Sequence, residues 1–98
     1  MFHSTHVFIG ETIYRRPAQS YTKFTDELNR LQTLQQTFAQ SSIIERTALL
    51  QQFADSLTQN QERLAEMVCE EVGRCLHECR AEISKSIELI RYYVRLAP

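Results

Sequence analysis

The spacing of apolar residues along the first half of the chain predicts two amphipathic helices. The first apolar stripe recurs at steps of three and four, which places its members on one face of a helix. It comprises Phe24, Leu28, Leu31, Leu34 and Phe38. The second stripe has mostly polar residues on its opposite side. It comprises Leu49, Leu50, Phe53, Ala54 and Leu57. These stripes predict helices near residues 23–40 and 42–58.

The second half of the chain predicts two further helices, near residues 61–72 and 75–96. The apolar face of the third comprises Leu64, Met67, Val68 and Val72. The fourth carries the longest stripe of the chain, formed by Leu76, Cys79, Ile83, Ile87, Ile90, Val94 and Ala97. Its flank adds Leu89, Tyr92 and Leu96. Because this surface is wider than one partner helix can cover, we expect the fourth helix to be covered from two sides.

Polar residues and glycine mark the helix ends. Ser42 and Glu45 have the spacing of a capping box, in which each side chain accepts a hydrogen bond from the backbone N–H of the other residue. Asn60 is predicted to cap the third helix, with Glu62 in its first turn. Gly73 is predicted to end that helix in the left-handed conformation.

Residues 1–21 precede the helical segment 22–98 and are expected to be extended. Two β-prone runs, residues 7–9 and 12–14, lie on either side of Gly10 and predict an extended arm or a hairpin. His3 and His6 are interpreted as tail residues. The expected fold is therefore all-α, with about four amphipathic helices and a short extended N-terminal arm.

Composition excludes several classes of partner. Eleven Lys and Arg against 12 Asp and Glu give a net charge of −1, which provides no attraction to nucleic acid or to an anionic membrane. No apolar run approaches the ~18–20 residues of a membrane span, and residues 1–9 do not have the pattern of a signal peptide. Three cysteines, an odd number, favour a reducing compartment. We therefore expect a cytoplasmic protein.

The three cysteines do not have the sequence context of metal ligands or of catalytic nucleophiles. Cys75 and Cys79 would share a helix face, but His77 lies roughly 200° around the axis from it, so the three side chains cannot converge on one ion. The chain also has no glycine-rich phosphate loop that would hold a cofactor against Cys69, Cys75 or Cys79. Their expected role is that of buried or half-buried small apolar side chains.

The acidic residues of the helices are expected to be solvated or to form ion pairs rather than to act as a general base. These residues are Glu62, Glu66, Glu70, Glu71 and Glu82. The sequence thus predicts no catalytic residue, no cofactor-binding residue and no metal ligand in this chain.

An ordered set of short motifs resembles the N-terminal region of the aldehyde dehydrogenase superfamily, from about Phe24 onwards. The motifs are Phe38, Glu45-Arg46 before Leu49-Leu50, and Glu71-Val72-Gly73-Arg74. The succinate-semialdehyde dehydrogenase branch is resembled most, through Glu78, Ala81-Glu82-Ile83, Lys85-Ser86 and Arg91-Tyr92-Tyr93. Three positions depart from the family pattern: Ser41 replaces a common tryptophan, Arg74 a lysine and Cys75 a proline.

The resemblance implies a piece of an α/β dehydrogenase fold whose parent uses NAD or NADP to oxidise an aldehyde to a carboxylic acid. It implies that the chain is an N-terminal scaffold fragment, without cofactor and inactive alone. The expected partners are the remainder of the dehydrogenase or a second copy bound through the fourth-helix face, in a homo-oligomer. The alternative is a self-sufficient helical protein-interaction module, which composition and periodicity permit equally.

Overall fold

The computed structural model describes residues 1–97, which form a two-stranded hairpin followed by four helices. The strands are β1 (Phe2–Thr5) and β2 (Thr12–Arg16). The helices are α1 (Tyr21–Phe38), α2 (Ile43–Gln59), α3 (Gln61–Val72) and α4 (Leu76–Leu96). The predicted fold, predominantly helical with an extended N-terminal arm, is confirmed.

α1 begins and ends two residues earlier than predicted, and local hydrogen bonds explain both ends. The hydroxyl of Ser20 accepts a hydrogen bond from the backbone N–H of Lys23 at 3.2 Å, which starts the helix before its first apolar residue. At the other end, the guanidinium of Arg46 donates to the carbonyl of Ala39 at 2.6 Å, and the hydroxyl of Ser41 donates to the carbonyl of Phe38 at 2.6 Å. These contacts turn the chain out of the helix.

The boundaries of α2 and α3 confirm one predicted cap and correct another. Ser42 N–H donates to the Glu45 carboxylate at 2.9 Å, and Glu45 N–H donates to the Ser42 hydroxyl at 3.1 Å, so the capping box is present. Asn60 occupies the N-cap position of α3 as predicted, but its side chain forms no capping hydrogen bond. Its amide donates instead to the carbonyl of Ser56 at 2.8 Å, and thereby satisfies the end of α2. α2, α3 and α4 otherwise begin and end within one residue of the prediction.

The N-terminal arm is an antiparallel hairpin, with Phe2 opposite Arg16. β2 contains the second predicted run, but the first run, residues 7–9, lies in the turn rather than in a strand. Two backbone bonds close that turn: His6 N–H to Glu11 O at 2.7 Å, and Gly10 N–H to His6 O at 2.8 Å. His3 therefore lies in β1 and His6 in the turn, so neither is a loose tail residue.

α4 packs against both α2 and α3, which follow one another along its length. The fully or nearly buried side chains of the described residues are Ala54, Ala65, Cys79 and Ile87. Two ion pairs join the same helices: Arg91 donates to Asp55 at 3.2 Å, and Arg80 binds Glu62 through two bonds from Nε at 3.0 and 3.1 Å. α2 therefore lies against the C-terminal half of α4, and α3 against its N-terminal half.

The described residues form a flat layer one helix thick. The Cα atoms span 48 × 38 × 16 Å with a radius of gyration of 17.6 Å, whereas a compact domain of this length has a radius of about 12.6 Å. The accessible surface is 7912 Å², against about 5,800 Å² for a compact protein of 11.5 kDa. A single layer cannot enclose a core, because a core needs elements on both of its sides.

Gly73 ends α3 as predicted, in the left-handed conformation with φ +81°. The hairpin turn lies directly over it, since Val7 N–H donates to the Glu70 carbonyl at 2.9 Å. A Cβ atom at position 73 would lie only 3.0 Å from Cγ2 of Val7. Gly73 is therefore required both by backbone conformation and by the close approach of the arm.

Gly73→Ala should lower the free energy of unfolding by more than about 1 kcal/mol, because the added Cβ meets both the positive φ and Val7. Gly73→Val should cost more still. Gly10→Ala is the matched control, since Gly10 also has a positive φ but no atom within 4 Å of its would-be Cβ. The measurement is urea unfolding followed by circular dichroism. A midpoint that rises for Gly73→Ala at unchanged slope would contradict the turn.

The Glu62–Arg80 pair should make stability depend on pH. The hydrogen bond from Arg80 holds the pKa of Glu62 below its ordinary value, and the same bond raises the pKa of Arg80. A carboxyl with a lowered folded-state pKa stabilises the fold above its unfolded value of about 4.3, and this contribution disappears as the pH falls through the folded value.

We therefore expect wild type and Glu62→Gln to differ most in unfolding free energy near neutral pH and to converge as the pH falls through the lowered folded-state pKa of Glu62. Glu88→Gln serves as control, because Glu88 forms none of the ion pairs found among residues 1–97. A gap between wild type and Glu62→Gln that is constant from pH 7 to about pH 3 would show that the pair makes no such contribution.

Candidate functional site

The three cysteines lie in different environments and do not form one site. Cys69 is half-buried in α3, Cys79 is buried in α4, and Cys75 is exposed between the two helices. The expectation that all three are at least half-buried is therefore wrong for Cys75. The extended backbone at Cys75, with ψ 134°, keeps it out of α4 and turns it to solvent. All three are free thiols.

Cys79 is unsuited to nucleophilic chemistry in this structure. Its Sγ lies 3.9 Å from the carbonyl oxygen of Arg74, to which the thiol donates, and its side chain is inaccessible to solvent. Burial raises the pKa of the Cys79 thiol, which disfavours the reactive thiolate. Cys79 fills space between helices as a small apolar side chain.

The three histidines lie in different parts of the structure: His3 in β1, His6 in the hairpin turn and His77 in α4. His77 is exposed in the first turn of α4. In the hairpin turn, His6 Nδ1 accepts a hydrogen bond from the N–H of Phe8 at 3.2 Å, so its ring supports the turn. Among residues 1–97, no three His, Cys, Asp or Glu side chains are grouped so that they could hold a metal ion.

Two of the five glutamates form ion pairs, one of the two structural roles that we expected for them. Glu62 binds Arg80, and Glu82 binds Arg74. Nε of Arg74 also lies 3.8 Å from a carboxylate oxygen of Glu78. The guanidinium therefore connects the segment after Gly73 to two successive turns of α4. Glu66 is exposed, whereas Glu70 and Glu71 are half-buried.

The surface best suited to binding another structure is the α4 flank, defined here as Leu89, Tyr92, Tyr93 and Leu96. All four side chains are more than half exposed. The two tyrosine rings meet edge to face, with centroids 5.2 Å apart. An open groove runs beside them and is lined by Glu82, Lys85, Ser86, Leu89, Tyr92 and Arg95. Leucine and tyrosine surrounded by charges of both signs are typical of a protein contact.

The stripe that sequence reasoning assigned to the contact surface is instead largely covered by the chain itself. Ile87 is buried, and Ile83, Ile90 and Val94 are half-buried, because α2 and α3 pack against this side of α4. Three residues that the sequence identified as a flank of this stripe are left open: Leu89, Tyr92 and Leu96. None of the helices within residues 1–97 is long and apolar enough to cross a membrane.

The chain matches the aldehyde dehydrogenase family over residues 2–98 and therefore belongs to that family. It is 22% identical over 97 residues to a succinate-semialdehyde dehydrogenase [NADP(+)] of Deinococcus radiodurans. The match covers 99% of this chain and 20% of that protein, so the chain spans about one fifth of its relative. No solved structure matches the chain.

The comparisons confirm the family resemblance drawn from the helix-end motifs. The structure supplies a physical reason for one of them, because Glu71-Val72-Gly73-Arg74 contains the residue that ends α3 and the arginine that anchors the start of α4. The similarity to a succinate-semialdehyde dehydrogenase agrees with the branch inferred from the sequence of α4.

The environments of the three thiols predict different rates of alkylation. Cys75 should react within minutes with a maleimide under native conditions, Cys69 more slowly, and Cys79 only when the helices open, because a buried thiol with a raised pKa offers little thiolate. Peptide mapping by mass spectrometry after timed labelling measures the three rates, and labelling in urea gives the unprotected reference. Equal native rates for Cys75 and Cys79 would contradict the packing of α4.

Proposed function

We propose that this chain is the helical N-terminal scaffold of an NAD(P)-dependent aldehyde dehydrogenase that oxidises succinate semialdehyde or a similar aldehyde to the carboxylic acid. The observation that carries the proposal is the family match over residues 2–98. In the complete reaction, aldehyde and water yield the acid, while hydride passes to the nicotinamide and a proton is released. The similarity to the Deinococcus succinate-semialdehyde dehydrogenase [NADP(+)] supports this substrate and favours NADP as the cofactor.

The described helix ends do not fit the pyrophosphate of a nicotinamide cofactor. Such a group binds where free N–H groups and the positive end of a helix face it. α2, α3 and α4 each carry a glutamate in the first turn, Glu45, Glu62 and Glu78, whose charge opposes an anion. At α1, the Ser20 hydroxyl already occupies one of the free N–H groups. The chain is accordingly proposed to bind no cofactor, which the rest of the dehydrogenase would hold.

The proposed role of the chain is to pack against that remainder through the α4 flank. The accessible surface exceeds that of a compact protein of this mass by about 2,100 Å². Burying apolar side chains such as Leu89 and Tyr92 against a second layer would contribute roughly 25 cal/mol per Å². Three unpaired thiols support a location in the reducing cytoplasm.

The alternative, a self-sufficient interaction module, is less consistent with the shape of the chain. An independent domain of this length has a radius of gyration of about 12.6 Å and two packed layers. The value of 17.6 Å and the thickness of 16 Å describe one layer. The shape therefore favours a segment that is completed by other structure.

The isolated chain should neither bind NAD+ or NADP+ nor oxidise succinate semialdehyde, because it offers no anion site and its buried cysteine is unreactive. Calorimetry with each cofactor and an absorbance assay for reduced nicotinamide measure the two properties. Micromolar cofactor binding, or turnover that Cys75→Ser abolishes, would overturn the assignment of a scaffold role.

A hybrid enzyme tests whether this chain can act as the N-terminal scaffold of an aldehyde dehydrogenase. In it, this chain replaces the 97 aligned residues of the Deinococcus dehydrogenase. We expect the hybrid to reduce NADP+ with succinate semialdehyde, whereas the same enzyme without the segment should be inactive. Leu89→Lys on the α4 flank should reduce the activity of the hybrid at least ~10-fold, whereas Lys23→Gln, remote from the flank, should not. A hybrid as inactive as the enzyme without the segment would count against the proposal.

A further inference from the structure

The N-terminal hairpin is joined to the helical layer at its turn. The backbone N–H of Val7 donates to the carbonyl of Glu70 at 2.9 Å, the one hydrogen bond found between the hairpin and a helix among residues 1–97. Beside it, Cγ2 of Val7 lies 3.0 Å from the position that a Cβ atom of Gly73 would occupy. We name these two contacts the latch, because they hold the arm on the end of α3.

The latch satisfies a helix end from outside the helix. Glu70 is among the last four residues of α3, whose carbonyls have no partner within the helix. The carbonyl of Cys69 accepts from the Gly73 N–H at 2.9 Å, and the carbonyl of Glu70 accepts from Val7. The bond from Val7 requires its N–H to point at α3, so any change in the shape of the hairpin turn acts on the latch.

The shape of the turn depends on the ring of His6, the residue before Val7. Its Nδ1 accepts a hydrogen bond from the N–H of Phe8 at 3.2 Å, as the side-chain oxygen of Asn or Asp does in an Asx turn. The His6 and Phe8 rings also meet edge to face, with centroids 5.8 Å apart. Because Val7 lies between the two bonded residues, this bond restricts the backbone that aims the Val7 N–H.

Only a neutral imidazole can accept the bond from Phe8. In the neutral ring one nitrogen carries the proton and the other accepts, whereas in the protonated ring both nitrogens are donors. The Nδ1–H of a protonated His6 would therefore oppose the N–H of Phe8. Histidine is the side chain whose charge ordinarily changes between about pH 5 and 8. Mild acid thus removes a bond that shapes the turn.

The charged and titratable groups around the turn do not replace the lost bond. They are Glu11 in the turn, Cys69, Glu70 and Glu71 at the end of α3, and Arg74 after it. None of the ion pairs found among residues 1–97 includes His6, and Arg74 is paired with Glu82 and Glu78. Glu11 is exposed, so its attraction for a protonated His6 is screened by solvent and salt.

We propose that protonation of His6 opens the latch, so that the N-terminal hairpin is held on α3 near neutral pH and is released from it in mild acid. The helices stay folded in the open state, because the packing of α4 on α2 and α3 does not involve the hairpin. This switch is independent of the proposed dehydrogenase activity, since it requires only the hairpin turn and the end of α3.

Solvent exchange of the Val7 amide, measured by nuclear magnetic resonance in the 98-residue chain, reports the latch. Corrected for the intrinsic rate, the protection of this amide should fall about 3- to 10-fold between about pH 7.5 and about pH 5.5, the factor expected for the loss of one hydrogen bond. Both values lie above the ordinary titration of glutamate near about pH 4.3. The Gly73 amide, bonded within the end of α3, is the internal control and should keep its protection.

Equal protection of the Val7 amide at both pH values would overturn the proposal. A rise in its protection on acidification would also overturn it, because that result would show that the nearby carboxylates hold the protonated ring in the closed turn.

Substitutions at position 6 assign the effect to the imidazole. His6→Asn supplies an acceptor that does not titrate and should keep the Val7 amide protected at both pH values. His6→Ala supplies none and should give low protection at both. His3→Asn is the matched control, since His3 is exposed in β1, and it should retain the pH dependence of the wild type.

The comparison of wild type with His6→Asn is decisive even when His6→Ala disturbs the hairpin. Circular dichroism shows whether each variant keeps its helices. A loss of Val7 protection in His6→Asn as large as that in the wild type would place the titration on another group and refute the role of His6.

Discussion

The close packing of α4 on α2 and α3 is the interaction on which the rest of the structure depends. Two alanines, Ala54 and Ala65, are fully buried at these contacts, and small side chains allow helix axes to approach closely. Cys79 and Ile87 fill the remaining space from α4, and the ion pairs Arg91–Asp55 and Arg80–Glu62 join the rims. The hairpin is attached to this unit through Val7, which lies over Gly73.

This arrangement yields one layer, and one layer leaves most apolar side chains at least partly in contact with water. Two of the apolar surfaces that remain open, the α4 flank and the α1 stripe of Phe24, Leu28, Leu31, Leu34 and Phe38, differ in character. The flank combines tyrosines with charges of both signs, which suits a polar-rimmed contact with a different surface. The stripe consists only of Phe and Leu side chains.

In this member of the aldehyde dehydrogenase family, many polar side chains of the described residues stabilise the helices. Several charged side chains of the helices form ion pairs with one another. Arg74, for example, pairs with Glu82 and Glu78. Glutamates in the first turns of three helices use the positive helix ends for internal stabilisation and make them poor anion sites. The buried thiol of Cys79 has a raised pKa. The ion pairs and the first-turn glutamates stabilise the layer.

The sequence by itself determined what depends on near neighbours along the chain. Helix faces follow from a period of 3.6 residues, and the Ser42–Glu45 capping box and the left-handed Gly73 follow from local backbone requirements. The side-chain hydrogen bond of Asn60 was not predictable, because its amide group can bond to the end of α2 or to the start of α3. In the structure it donates to Ser56 O at the end of α2. Which apolar face is covered depends on residues distant in sequence. Only the tertiary structure showed that α2 and α3 cover Ile87, that Val7 approaches Gly73, and that the α1 stripe stays exposed. These features depend on loop geometry and on the distances between helices, which the hydrophobic periodicity of a single helix does not encode.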